Sequence, residues 1–409
     1  MGLRTLAQAV VFLVVARVLG AADYGAFAAI LALSTAFGCL SGFGTQILMV
    51  RNIARNRDCF AVAWTRTLAA IAMSVPILFS AYIPIAWFVL PAGVSFAVVA
   101  LIGLADLSFA PIGLAAVAAY QGHERHGRAA HLSLVPVLPR LAGALLLLCL
   151  AAVLPEPELL RAWSIIYVVT AFAAALYAWK KVRKDLGIPS KLNWEEAFGA
   201  IKEGWVFAIG SAAVKLYADI DKTMLARLVT MEAAGAYSAG YRVAELATIP
   251  ILSLVSAVMP RFFLTGINGV HAALVLACRI LPVPLAYCLI AGVFLYWSAG
   301  ALPFLLGTDY VEAVAILQWL AWIPALSLPR LLLQSLLIGS DRQNYAVNIL
   351  AAGGLFNIAL NILLIPVWSW RGAVAATYAA EFAMASAMSI TALRRRVSTM
   401  PTSAGEVNT

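Results

Sequence analysis

The chain has 409 residues, of which 63% are hydrophobic and only 11% charged, with a formal net charge of +9. Soluble domains run near half apolar and a quarter charged, so no water-facing surface accommodates this composition and the excess must face lipid. The positive charge gathers in short segments beside apolar runs, a membrane-topology pattern rather than the footprint of a nucleic-acid binder.

A spanning helix needs about 20 mainly apolar residues. About twelve segments qualify, at 3–19, 24–50, 61–90, 94–121, 132–153, 159–180, 205–229, 235–259, 272–298, 309–338, 345–367 and 371–393. Their long unbroken apolar runs predict helices; barrel strands would alternate in shorter stretches. Residues 3–19 also have the outline of a signal peptide, with Arg4 ahead of the apolar core and Gly20, Ala21 and Ala22 behind it. The end of this segment recurs in mid-chain, which marks it as a first membrane helix. It offers only about 16 residues where the seventh has about 25, and residues lost from its start are the expectation.

With the N-terminus cytoplasmic, the inner loops hold Arg51, Arg55 and Arg57, then Arg125 and Arg128, then Lys180, Lys181, Arg183, Lys184, Lys191 and Lys202. Arg261, Arg342 and the triplet Arg394, Arg395 and Arg396 follow on the same side, whereas the short outer loops offer chiefly Arg161 and Arg371. The positive-inside rule then puts both termini in the cytoplasm. Segment 181–204 is the one long loop, with Pro189 and the run Trp194-Glu195-Glu196, and it reads as a linker containing a short interfacial helix.

The flanks of that linker repeat each other. ARVLGAADYGAF at 16–27 aligns with ARLVTMEAAGAY at 226–237, pairing Arg17 with Arg227 and Gly25 with Gly235. The same register carries Met49 onto Met259 and Arg51 onto Arg261; after a small drift, Gly122-His123-Glu124-Arg125 matches Gly339-Ser340-Asp341-Arg342. Six helices separate the copies, an even number, so both enter the membrane with the same orientation around an axis along its normal. The expected architecture is all-α and integral to the membrane, two pseudo-symmetric six-helix lobes around a central cavity. An N-terminal lobe covers 1–180, the linker 181–204, a C-terminal lobe 205–393 and a cytoplasmic tail 394–409.

ARVLGAADYGAF, followed by SGFGTQILMVRNIAR, resembles the opening of the polysaccharide transporter branch (the Wzx-type oligosaccharide flippases) of the multidrug/oligosaccharidyl-lipid/polysaccharide exporter superfamily. YADIDKTMLARL at 217–228 with GAYSAGYRVAEL at 235–246 is similar to the start of that family's second half, and LLIPVWSWRGAVAAT at 363–377 to its eleventh-to-twelfth helix turn. The resemblance implies a flippase in the bacterial inner membrane. It would carry undecaprenyl-pyrophosphate-linked oligosaccharide to the periplasmic leaflet by alternating access, for O-antigen, capsule or exopolysaccharide. Its partners would be the lipid-linked anionic oligosaccharide, membrane lipid and glycan assembly proteins, with no nucleic acid and no cofactor.

Ionisable residues in a span cost on the order of 2.5–3.5 kcal/mol each on insertion scales, so those present usually face protein or water. Lys215, Asp219 and Lys222 share one face of the seventh helix, and Arg242 and Glu245 one face of the eighth. They read either as a polar cavity wall or as a fixed salt-bridge network. Arg140 and Arg330, in the cytoplasmic halves of the fifth and tenth helices, suit bidentate binding of a pyrophosphate; the alternative is snorkelling to headgroups. Arg66 and Arg279, nearer the inner surface, read as snorkelling. Arg17 and Arg227, and on the inner side Arg51 and Arg261, are gate residues or interface anchors. Asp106, Asp221, Glu312 and Glu381 are the candidates for proton coupling, with packing against an arginine as the alternative.

The five cysteines form no Cys-x-x-Cys pair and read as packing residues. His123, His126 and His131 sit in a small basic loop without metal-site spacing, and Gly42-Phe43-Gly44 reads as a packing or kinking element within the second helix. No catalytic motif is present. Two further functions stay open. A drug or cation exporter of the same superfamily would favour acidic cavity residues. A membrane glycan polymerase or glycosyltransferase would need a larger outer domain.

Overall fold

The break at Gly20 decides how the chain begins. In the computed structural model, which describes residues 2–394, helix α1 (Gly2–Leu40) leaves helical geometry at Gly20, with φ 70° and ψ 175°. Glycine adopts that backbone without steric penalty. The rings of Phe12 and Tyr24 lie 5.8 Å apart, whereas a straight helix would separate them by about 18 Å. The two arms therefore fold back as a hairpin, and the first two predicted spans are real.

A second break follows at Ser41–Gly44, where Gly42 and Gly44 have φ 73° and Phe43 has φ 49°. Gly42 N, freed by the break, donates to Ser74 Oγ at 2.9 Å, and Ser41 Oγ donates to the Leu107 carbonyl at 2.8 Å, so the break is tied to neighbouring helices. The predicted kinking element thus interrupts the span, and α2 (Thr45–Arg55) resumes it. Next come α3 (Phe60–Val89), then α4 (Phe96–Leu104) joined to α5 (Ala110–Gly122) through a π-helical turn at Ala105–Phe109. Helices α6 (His126–Leu134), α7 (Val137–Leu150) and α8 (Glu156–Asp185) follow.

Segment 181–204 does not contain a separate short helix. Lys181–Asp185 close α8, and α9 (Trp194–Leu228) already begins at Trp194, leaving only 186–193 outside helix. Asn193 caps α9, its side-chain oxygen accepting from Glu195 N at 3.1 Å. Glu195 and Glu196 suit the positive end of the helix dipole. The Trp-Glu-Glu run is a helix start.

The rest is α10 (Met231–Gly266), α11 (Val270–Ile280), α12 (Pro282–Ser298), α13 (Leu302–Leu306), α14 (Val311–Leu320), α15 (Ile323–Gly339), α16 (Gln343–Trp368) and α17 (Trp370–Arg394). Among the described residues there is no strand. Ten helical stretches among the described residues are long and apolar enough to cross a membrane, and Thr308–Leu320 with Ile323–Gly339 forms an eleventh, bent by 43°. Dividing the first stretch at Gly20 accounts for all the segments read from the sequence. Of the predicted tail 394–409, residues 395–409 lie outside the described residues.

The chain forms two compact units, one of residues 1–239 with 301–312 and one of 240–300 with 313 onward. This division does not fall at the expected linker, because α9 packs along α1 and binds it to the first unit. Gly44 and Gly204 show how closely: a Cβ on either would lie 2.2–2.4 Å from a main-chain oxygen of the other segment. The first unit's core includes Met49, Ile53, Trp64 and Tyr120 with a run of alanines on α5, small residues that let membrane helices approach. The second unit's core gathers Phe262, Leu328, Leu332 and Leu336.

The duplication survives in backbone detail. Helix α5 ends with Arg125 N donating to the Tyr120 carbonyl at 2.9 Å, and α15 ends with Arg342 N donating to the Leu337 carbonyl at 2.8 Å. Glu124 (φ 60°) and Asp341 (φ 56°) hold the matching left-handed positions. Both are Schellman ends, and both follow the matched Gly-x-acid-Arg sequences.

Candidate functional site

Asp106 anchors the charged cluster of the first unit. Its carboxylate, on the π-helical turn and only 5% exposed, accepts from Ser34 Oγ at 2.6 Å and Tyr167 OH at 2.9 Å. Gly38 permits this, since a Cβ there would stand 2.6 Å from the Asp106 carbonyl oxygen. Arg140, on α7, lies with Cζ 4.4 Å above the Tyr167 ring, and its buried Nε has no hydrogen-bond partner. Arg140 and Lys215 are both within electrostatic reach of Asp106.

Lys215 leads to a second group on α9. Asp219 accepts Lys215 Nζ and Lys222 Nζ at 2.6 Å each, as the four- and three-residue spacings require. Lys222 also lies 3.6 Å from Asp221, whose other oxygen accepts from Tyr237 OH on α10 at 2.6 Å. Asp221 and Lys222 are buried, and Thr223 Oγ1 donates to the Ala29 carbonyl at 3.0 Å, fixing α9 to α1. Three cations (Arg140, Lys215, Lys222) thus stand against three carboxylates (Asp106, Asp219, Asp221). The sequence leans basic, but this cluster is charge-balanced, and Arg140 is its least engaged cation.

Other predicted residues fall elsewhere. In the second unit Arg330 on α15 is bound to Glu381 on α17, Nε to Oε2 at 2.5 Å. Arg242 pairs with Glu245 on its own helix at 2.9 Å, both about half exposed. Glu312, expected as a buried carboxylate, is exposed in the first turn of α14, where the helix dipole favours it. Arg261 is exposed. On the basic side of the first unit, Arg51 pairs with Glu203 at 2.7 Å and Arg66 with Glu196. Arg66 therefore ties α3 to the start of α9 in addition to any approach to headgroups.

Arg17 and Arg227 are a related pair. Arg17 Nη1 donates to the carbonyls of Phe304 and Leu305 at 3.2 and 3.0 Å, at the C-terminal end of α13. Arg227 Nη1 donates to the Leu90 carbonyl, the C-cap of α3, at 3.5 Å. An apolar cavity of about 170 Å³ adjoins this second contact, walled by Trp87, Leu90, Pro91 and Phe96 with Arg227 on its rim. Trp87, Phe88 and Phe304 stand exposed at these helix ends, the placement of an interfacial aromatic belt.

Sequence reasoning missed Ser34, Tyr167 and Tyr237, which hold the buried carboxylates. A hydroxyl on another helix carries no local signal of its partner. Glu196 and Glu203 lie in the stretch 181–204 that reads as a linker, so the sequence alone offers Arg66 and Arg51 no partner.

A family model described as Polysaccharide biosynthesis protein matches residues 1–265. No curated protein matches the chain at a significant level. Among solved structures, an inward-facing multidrug resistance MATE family transporter of the MOP superfamily superposes with a TM-score of 0.73 at 15% identity, over 98% of this chain and 96% of that one. The lipid II flippase MurJ, in an inward closed conformation, gives 0.73 at 12% identity over 96% of this chain and 88% of that one. A MOP superfamily transporter from Pyrococcus furiosus gives 0.60 at 14% identity over 97% and 94%. At such identities the likeness is one of fold.

Proposed function

Since the chain belongs to the polysaccharide biosynthesis protein family, we propose that it is a flippase for a lipid-linked saccharide. The substrate class is undecaprenyl-pyrophosphate-linked oligosaccharide, moved from the cytoplasmic to the periplasmic leaflet of a bacterial inner membrane for O-antigen, capsule or exopolysaccharide. The two copies of the repeat, 1–180 and 205–393, would alternate access around it, with both termini cytoplasmic. Glycan assembly proteins would supply the lipid-linked unit and consume it.

Arg140 carries this reading. Its planar guanidinium is held over Tyr167 while one buried N–H lacks an acceptor, and a diphosphate oxygen would complete it. Lys215 and Asp219 are the adjoining polar wall in the first unit; Arg242 and Glu245 are the second unit's own candidate substrate contacts. Arg330 would have to exchange Glu381 for substrate to share the role. An inside-negative potential favours outward movement of an anion by roughly 2.3 kcal/mol per charge per 100 mV. Asp106, Asp221 and Glu381 are the buried carboxylates a coupling proton could visit.

The exporter reading wants acidic groups free for a cationic drug, and here Asp106, Asp219 and Asp221 are already engaged. A strain lacking the gene should accumulate lipid-linked repeat units on the cytoplasmic leaflet. Normal glycan export in that strain, without a suppressor, sinks the proposal.

A further inference from the structure

We infer that Arg17 and Arg227 are paired latches of a seam that the two copies of the repeat form with each other and must release for the protein to open on its charge-poor side. The inference rests on the flippase reading for its purpose, but its geometry stands alone.

The seam is self-complementary. A Cβ on Gly25 would lie 1.8 Å from the Met231 carbonyl oxygen, and one on Gly235 would lie 1.9 Å from the Ala21 carbonyl oxygen. In the repeat register Gly25 corresponds to Gly235 and Ala21 to Met231. Each side therefore makes the contact that its counterpart makes, the signature of a two-fold interface. The arginines obey the same rule. Arg17, from the first copy, caps the helix end at Phe304 and Leu305 in the second copy. Arg227, from the second copy, caps the equivalent helix end at Leu90 in the first.

These contacts differ in kind from those deeper in the first unit. Asp221, Lys222 and Tyr237 are buried and bonded within the second copy, and parting them would strand charges. Arg17 and Arg227 are exposed and hold only main-chain carbonyls. When the seam parts, water satisfies both ends, so release is inexpensive. The glycines meet backbone to backbone, so the side chains that must also let go are Thr223, which donates to the Ala29 carbonyl at 3.0 Å, and Tyr310. Tyr310 OH, donating to the Ala16 carbonyl at 2.8 Å, brings residues 301–312 to the same seam, which is why that stretch belongs to the first unit.

The test has two arms on full-length protein without its native cysteines. In the first, Ala21→Cys, 3% exposed at the seam, is timed against a membrane-impermeant maleimide. Arg17→Ala with Arg227→Ala should speed labelling about tenfold, the effect of losing two cation–carbonyl contacts, and Arg17→Lys with Arg227→Lys should return much of the protection. Unchanged labelling in the double alanine variant, with unfolding temperature and gel-filtration profile intact, overturns the latch. In the second arm, Arg17→Cys and Leu305→Cys are joined by a short, reducible bis-thiosulfonate in proteoliposomes containing undecaprenyl-diphosphate oligosaccharide. Joined protein should stop flipping and reductant should restore it; undiminished flux in joined protein overturns the gate. If unjoined protein shows no flux either, the flippase reading fails, and the labelling arm decides the seam by itself.

Discussion

Arg330 on α15 grips Glu381 on α17 through a 2.5 Å contact, the two side chains being 13% and 7% exposed. Removing either partner leaves a buried charge without its counter-ion, a loss of about 3–5 kcal/mol. Arg330→Ala and Glu381→Ala should each lower the unfolding temperature in detergent, and Arg330→Met with Glu381→Leu should cost less than the two singles added. Singles that melt like the wild type would show the pair to be dispensable scaffolding. Arg330→Lys adds a second readout: a retained melt with lost flux would assign Arg330 to the substrate.

Arg140 offers a cleaner test of substrate binding, because no ion pair depends on it among the described residues. Arg140→Ala should reduce flipping by at least about tenfold with membrane insertion unchanged, as expected for one lost charge-assisted contact of roughly 1.5–3 kcal/mol, and should melt somewhat lower because buried Asp106 loses a neighbouring positive charge. Arg140→Lys keeps the charge but not the flat face over Tyr167 and should recover only part of the rate. Wild-type flux in both variants removes Arg140 from the site.

Two glycines on α9 should answer differently to the same change. Gly204→Ala puts a methyl 2.4 Å from the Phe43 carbonyl oxygen, while Gly210→Ala meets nothing within 4 Å. The first should destabilise by about 1–3 kcal/mol through overpacking. The second should stabilise by up to about 1 kcal/mol through helix propensity. Thermal unfolding of both variants side by side checks this, and equal melts would mean that α9 and the break at 41–44 are not in close contact.

The left-handed residue at the end of α15 gives a prediction of opposite sign. Asp341 has φ 56°, a conformation that costs a non-glycine residue roughly 1–2 kcal/mol. Asp341→Gly should raise the unfolding temperature and Asp341→Val lower it. A lower melt for the glycine variant would show that the aspartate side chain contributes more than its backbone strain removes.

The sequence carried the helices well because lipid imposes one strong rule, a long apolar run, and each segment obeys it. It also carried the pairing of residues along one helix: Lys215, Asp219 and Lys222 lie where their spacing put them. Between helices it fell silent. Nothing beside Asp106 announces Ser34 or Tyr167, and nothing beside Arg17 announces the carbonyls at 304 and 305, since both meetings depend on packing. The repeat is the exception. Pairing Gly25 with Gly235 in sequence marked two residues that touch, because equivalent positions of two related copies meet on their shared axis. The start of α9 was misplaced for a local reason. Asn193 and two glutamates resemble loop polarity, yet together they are a cap and a dipole partner.

The π-helical turn at Ala105–Phe109 has a consequence for everything downstream of it. Such a turn accommodates one surplus residue, and one residue amounts to a rotation of about 100° around a helix axis. Excising a single residue there would leave the span apolar and nearly as long, yet spin 110–122 so that Tyr120 and Gly122 swing away from their neighbours on α8 and α2. The phase of that helix, and so the identity of its greasy and its inward sides, is set by one extra amino acid rather than by the hydrophobicity of the rest.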